Sequence, residues 1–143
     1  MSTTETKLSA VFSLDALAER LGAETGWSEA GGARWLDVAP AKLRALTQAM
    51  NEVQARLVTI TASALADGLR LDYHWDLDGQ LLGFRLEARE RSVASIFDLC
   101  PAADWIEREI HDAYAVEFTG RVLEPLLLRQ GDRPGVNLDQ EAK

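Results

Sequence analysis

The chain has 143 residues, 47% of them apolar and four of them tryptophan, enough for one folded domain with a substantial core. Its formal net charge is −8, and residues 61–120 alone carry twelve acidic and five basic side chains, which excludes a nucleic-acid surface because phosphate backbones would be repelled. The one cysteine, Cys100, neither closes an intramolecular disulfide nor supplies the roughly four thiolates of an iron–sulfur cluster.

In chain order, Met1-Ser-Thr-Thr-Glu-Thr-Lys7 lacks a signal peptide's apolar stretch, and no segment approaches the about 20 apolar residues of a membrane span. The expectation is a cytoplasmic chain that reaches a membrane only through partners, the more so because its acidity disfavours anionic headgroups. Ser13 can cap a helix in which Leu14, Leu17, Ala18 and Leu21 recur at helical spacing, and Gly22 suits its end. Residues 23–33 are glycine-rich and predict a turn or loop. Arg34 to Ala39 predicts a strand. Pro40 then opens a helix over about 41–55, with Leu43, Leu46, Met50 and Val53 on one side. Arg56 to Ala64 is rich in β-branched residues and predicts a strand with Val58 and Ile60 opposite Leu57 and Thr59.

The firmest local pattern follows. Leu69, Leu71, Tyr73, Trp75 and Leu77 alternate with Arg70, Asp72, His74 and Asp76, and then comes Asp78-Gly79, a favoured pair for a two-residue type I′ turn. That turn sets Leu77 against Gln80, Trp75 against Leu82, Tyr73 against Phe84 and Leu71 against Leu86. On the other face it sets Arg70 against Glu87 and Asp72 against Arg85, pairs worth about 0.2–1 kcal/mol each. Val93 to Leu99 is a short apolar segment, and Pro101 can start a third helix over about 102–115. After Gly120 there is one apolar run, Leu126 to Leu128, and then a loose end. The reading is an α+β domain, mostly antiparallel, with a central hairpin over about 69–89 covered by about three helices. It is a single domain over 1–143 with flexible ends at 1–8 and 130–143.

The third helix, Trp105-Ile-Glu-Arg-Glu-Ile-His-Asp-Ala-Tyr114, holds the densest cluster of functional groups. At 100° per residue Ile106, Ile110 and Ala113 form its buried stripe, Glu109 lies beside the stripe, and Arg108, His111 and Asp112 point away. Glu107 and His111, like Arg108 and Asp112, are i,i+4 neighbours. Three readings stay open for this face: a solvated surface with ordinary ion pairs, an acid/base pair of Glu109 and His111, or docking to a partner. The azimuths of Glu109 and His111 differ by about 160°, so the pair diverges. His74, opposite Gly83, reads as solvated or packed over the glycine. No metal-ligand spacing, dinucleotide fingerprint, phosphate loop or nucleophile elbow occurs. Cys100 reads as a small buried apolar residue.

The stretch Ser95-Ile-Phe-Asp-Leu-Cys-Pro-Ala-Ala-Asp-Trp-Ile-Glu-Arg-Glu-Ile-His-Asp112, followed by Val116-Glu-Phe-Thr-Gly120, resembles the signature of the thirty-kilodalton subunit family of respiratory NADH dehydrogenase (complex I). Relatives of that family also occur in energy-converting [NiFe] hydrogenases and formate hydrogenlyase. The W-x-E-R-E-x-x-D run carries most of the likeness. The resemblance implies a small α+β docking subunit that holds no cofactor and supports electron transfer between other subunits. Its partner would be the large forty-nine-kilodalton-type subunit, or the hydrogenase-like large subunit. By position, Glu107, Arg108, Glu109 and Asp112 match the motif and would contribute to the contact between subunits or to structure beneath it. The complex would sit on the inner face of the cell membrane.

Three departures stand out. Tyr114-Ala115 replaces the family's Phe-Gly, and because alanine tolerates a left-handed backbone poorly, a reshaped turn or a longer helix is expected. Arg121-Val122 replaces His-Pro, and the C-terminal tail is short. These lean toward a hydrogenase-type or other compact relative. The competing readings are a free-standing ligand-binding protein or acid/base enzyme using Glu109, His111 and His74, and a homo-oligomeric relative that has lost its complex.

Overall fold

The computed structural model describes residues 13–126 and 132–135. The expected frayed stretch at 1–8, two residues of the apolar run (127 and 128) and most of the expected loose end lie outside them.

Two long alternating stretches form the centre of the sheet. Strand β4 (Gly68–Leu77) and strand β5 (Gln80–Ala88) pair in the register set by the Asp78-Gly79 turn, with Trp75 opposite Leu82, Tyr73 opposite Phe84, Leu71 opposite Leu86, Arg70 opposite Glu87 and Asp72 opposite Arg85. Both turn residues have positive φ, 50° and 91°, as a type I′ turn requires. The Asp76 carboxylate accepts the Gly79 N–H at 2.7 Å and fixes the turn further. Strand β3 (Arg56–Leu65) flanks β4 antiparallel, and β2 (Ala33–Asp37) flanks β5 parallel. With β1 (Ser28–Ala30) at the edge the order is β1-β2-β5-β4-β3, so three of the four pairings are antiparallel and the α+β reading holds.

Two local expectations are corrected. The 23–33 stretch is more than a loop: β1 (Ser28–Ala30) pairs antiparallel with β2 across Gly31-Gly32. In β3 strict alternation fails, because the register jumps between Leu57 and Thr59 and leaves Val58 without a cross-strand partner. This bulge puts Leu57 and Ile60 on the same buried face while Val58 is 41% exposed.

Helix α1 (Leu14–Arg20) is capped by Ser13, whose Oγ accepts the Ala16 N–H at 3.1 Å. Pro40–Lys42 forms a 3₁₀ turn, not a first α turn, and leads into α2 (Leu43–Glu52). Leu17, Leu21, Leu43, Leu46 and Met50 of these helices share one buried cluster with Leu71, Tyr73, Trp75, Phe84 and Leu86 of the sheet. The opposite face of the sheet keeps the charged residues of the hairpin. There the Trp35 ring covers Gly83, where a Cβ would come within 2.5 Å of a ring carbon, and meets His74 edge-on with centroids 5.3 Å apart. His74 Nε2 lies 3.3 Å from Thr61 Oγ1.

Strand β6 (Ser92–Ala94) pairs parallel with β7 (Glu117–Thr119), a second, two-stranded sheet not anticipated from sequence. Between them runs α3 (Ala103–Tyr114). It neither lengthens nor reshapes its end at the Tyr114-Ala115 departure. Ala115 itself takes the left-handed conformation (φ 56°, ψ 35°), and its N–H donates to the His111 carbonyl at 2.9 Å. His111 Nδ1 donates to the Val116 carbonyl at 2.9 Å and helps to hold that turn. Ala115→Gly is therefore expected to stabilise the fold by about 1 kcal/mol, read as a rise in urea midpoint with unchanged slope.

Candidate docking site at the third helix

The face that α3 buries is rotated from the one that hydrophobicity predicts. Ala103, Glu107 and Ile110 point inward, Ile106 and Ala113 are only partly buried, and Glu109 is exposed. Asp112 is buried too, at 2% exposure, because the segment after β7 covers that flank. The surprise is Glu107, which has no exposed surface.

Its burial is compensated bond by bond. The Ser95 hydroxyl donates to Glu107 Oε1 at 2.5 Å, the Ile96 N–H donates to Oε2 at 2.9 Å, and Arg121 Nη1 donates to Oε1 at 3.3 Å. The other terminal nitrogen of Arg121 reaches the Asp104 carboxylate, and its guanidinium lies over the Phe97 ring at 4.5 Å. Burial still outweighs these bonds and pushes the Glu107 carboxyl above the usual glutamate range. Beneath it the Tyr73 hydroxyl is raised by burial and, secondarily, by the Glu107 charge, and burial likewise raises the Cys100 thiol. Cys100 is the small buried residue expected.

The loop that supplies Ser95 and Ile96 is held from the other side. Arg44 of α2 donates to the Ser95 carbonyl at 2.9 Å and makes a two-pronged pair with Asp98 at 2.8 and 2.7 Å. That hydrogen bond holds the Asp98 carboxyl below its ordinary range. Asn51 donates to the Leu99 carbonyl at 2.9 Å.

The remaining motif residues fasten the segment 121–126 along α3. Arg108 donates to the carbonyls of Glu124 (3.1 Å) and Pro125 (3.4 Å), and Asp112 accepts the Leu126 N–H at 2.9 Å. The Asp112 carbonyl also accepts the Gly135 N–H at 2.8 Å. Arg108 also pairs with Asp104 at 3.7 Å, one turn back, and Glu107 is engaged by Ser95 and Arg121. Arg121 thus turns from a departure into the counter-cation of the motif, and Ser95 and Asp104 join it. Sequence carried one usable hint, since Glu107 shares a helical azimuth with Ala103 and Ile110.

Catalytic convergence is not what the geometry gives. His111 is engaged by Val116, Glu109 points into solvent, and His74 lies on the sheet face with Trp35 and Thr61. Among the described residues no group of three or more His, Cys, Asp or Glu side chains could hold a metal ion. A cleft of about 540 Å³ is lined by residues including Thr25, Asp37, Arg70, Arg85 and Glu87, none of them from α3. No helix of the described residues is long and apolar enough to cross a membrane.

Residues 36–136, more than half of the chain, match the family described as respiratory-chain NADH dehydrogenase, 30 Kd subunit. The chain belongs to this family. It is 33% identical to the C subunit of NADH-quinone oxidoreductase from Ruegeria sp. (strain TM1040) across 72% of this chain and 56% of that protein. It is 39% identical to the same subunit from Rhodopseudomonas palustris (strain BisB18) across 36% of this chain and 28% of that protein. The chain therefore spans about half the length of these relatives, or less. The fold is shared with an Nqo5 trypsin-resistant fragment (TM-score 0.62, 18% identity, 80% of this chain and 96% of that one). It is also shared with a chain of a membrane-bound sulfane sulfur reductase, an archaeal respiratory membrane complex (TM-score 0.69, 22% identity, 84% and 76%). The family match begins inside β2 and runs through the hairpin and α3, so it covers the whole Glu107 network.

Proposed function

We propose that this member of the family is a docking subunit, itself non-catalytic and cofactor-free, of a complex I-like NADH:quinone oxidoreductase or an energy-converting hydrogenase-type assembly. Its partner is the large forty-nine-kilodalton-type or [NiFe]-hydrogenase-like subunit, and the complex lies on the cytoplasmic face of the membrane. The observation that carries this reading is how the motif's polar groups are used. Glu107, Arg108 and Asp112 all fasten neighbouring segments, which builds a fixed surface on α3 and gathers no reactive constellation. In this reading those three form the structure beneath the contact, and the exposed Glu109 belongs to the contact itself.

The test is Arg108→Ala. Its side chain is largely covered but sits off the core, so the isolated chain should keep one cooperative thermal transition and lose about 1–3 kcal/mol for the charged hydrogen bonds removed. Assembly should weaken, seen as reduced copurification of the large subunit when the neighbouring genes are expressed together. Wild-type chain that fails to copurify with such a subunit would end the reading, and loss of the cooperative transition itself in the variant would refute the assignment of Arg108.

A further inference from the structure

Strand β3 forms one edge of the five-stranded sheet, and among the described residues β4 is its only strand partner. The opposite edge, β1, is three residues long, whereas β3 runs for ten. Folds guard a long edge with charges, proline or a bulge. Here the Leu57–Thr59 bulge guards only the start. Residues 57–66, Leu-Val-Thr-Ile-Thr-Ala-Ser-Ala-Leu-Ala, hold no charge and no proline, in a chain of which 27% is charged. Val58 (41%) and Leu65 (38%) are exposed along this strand, and so is Thr61 at its middle. Such an edge is a template for a further strand.

The order of residues along β3 decides which strand that is. A chain of net charge −8 meets a copy of itself only where carboxylates do not face carboxylates, and 57–66 supplies that place. Antiparallel self-pairing about Thr61 sets Thr61 against Thr61, Thr59 against Ser63 and Ile60 against Ala62. The first two pairs are hydroxyl against hydroxyl on the open face, where Thr59, Thr61 and Ser63 neighbour His74, Asp72 and Arg70. The third is apolar against apolar on the face that packs on the core. Pairs of both kinds are favourable across strands. The same register carries Arg56 of one copy to the end of β3 in the other, beside Asp67 of the β3–β4 turn, and two-fold symmetry repeats this at the other end. Asp67 is exposed, and Arg56, which also holds Asp76 at 3.2 Å, keeps 71% of its side chain exposed. We infer that β3 pairs with β3 of a second copy, antiparallel about Thr61, and joins two five-stranded sheets into one. Self-association through β3 is separate from docking through α3, so the failure of either leaves the other standing.

The experiment is sedimentation equilibrium of the purified full-length chain at up to about 100 µM, a range that populates even a small interface. Wild type should sediment as a dimer. Thr61→Lys, which sets two ammonium groups against each other on the two-fold axis, should raise the dissociation constant about tenfold or more. Thr61→Val, which keeps an uncharged strand former, should stay within about threefold of wild type. Both should keep one cooperative thermal transition, since Thr61 is exposed. Arg56→Glu should weaken the dimer about fivefold, and adding Asp67→Arg should restore it to within about twofold. Within one chain these two residues lie at opposite ends of β3, about 30–35 Å apart, so restoration is possible only between copies. This charge exchange decides by itself if Thr61→Lys unfolds. Wild type that is monomeric throughout, or a dimer that Thr61→Lys leaves intact, would overturn the pairing. A charge exchange that restores nothing would overturn the register about Thr61.

Discussion

Glu107→Ala should cost the fold about 3–5 kcal/mol, a large share of the total stability of a domain this size. The reason is what the carboxylate leaves behind. Its removal strands the Ser95 hydroxyl and the Ile96 N–H in a buried site, and leaves Arg121, whose side chain is only 13% exposed, with Asp104 as its remaining partner. A buried cation short of its counter-charge and unsatisfied buried donors are among the most destabilising defects a fold can carry. The loss should appear as a lower urea midpoint, together with faster hydrogen exchange at Ile96 and through 121–126. A change below about 1 kcal/mol would show that water reaches the site and that the network does not hold the segment.

The same residue has a pH signature of known sign. Burial raises its carboxyl in the folded chain above the ordinary glutamate value of about 4.3, so the native state binds the proton more readily than the unfolded chain does. For this group stability therefore falls as pH rises from the unfolded value through the raised folded one, and it recovers on acidification. Glu107→Gln should remove that slope, so the wild-type minus variant difference in unfolding free energy should grow in favour of wild type as pH is lowered across the window. Asp98 and Glu52, each held low by an arginine, act the other way and lose their contribution as pH falls through their depressed folded values.

Gly68→Ala is expected to cost about 3 kcal/mol, combining backbone strain with overpacking. Gly68 opens β4 with a φ of +133°, and a Cβ there would sit 2.7 Å from the Arg89 Cα and 2.8 Å from the Ala88 carbonyl oxygen. Both neighbours are main chain at the end of β5, so no side chain can swing aside. Relief would have to come from parting β4 from β5 or from distorting the β3–β4 turn. Urea titration gives the size of the effect. Amide shifts confined to 65–70 and 86–90 would place it, and a variant as stable as wild type would mean that this corner is not built as described.

Some of this architecture is written locally. The hairpin follows from a period of two and one turn dipeptide, because alternation has a single register that buries one face when the turn is fixed. The Ser13 cap, the buried sides of α1 and α2 and the extent of α3 to within a residue or two follow in the same way from nearest-neighbour chemistry. So does the family, because the W-x-E-R-E-x-x-D run survives as contiguous text.

Other features needed the assembled chain. The Leu57–Thr59 bulge is a mismatch between two strands and has no signature in one of them. β1 and the β6–β7 pair are three-residue strands whose pairing depends on what lies beside them. Most of all, hydrophobicity placed α3 by its isoleucines, whereas the helix turns Glu107 inward and Asp112 is covered on another flank by the segment that ends at Leu126. A carboxylate becomes a core residue only where donors converge on it, and those donors, Ser95, Ile96 and Arg121, lie 12, 11 and 14 residues away along the chain. Sequence by itself determined the four longer strands, the helices and the family. Tertiary structure decided which charges are buried, because that depends on partners distant in the chain.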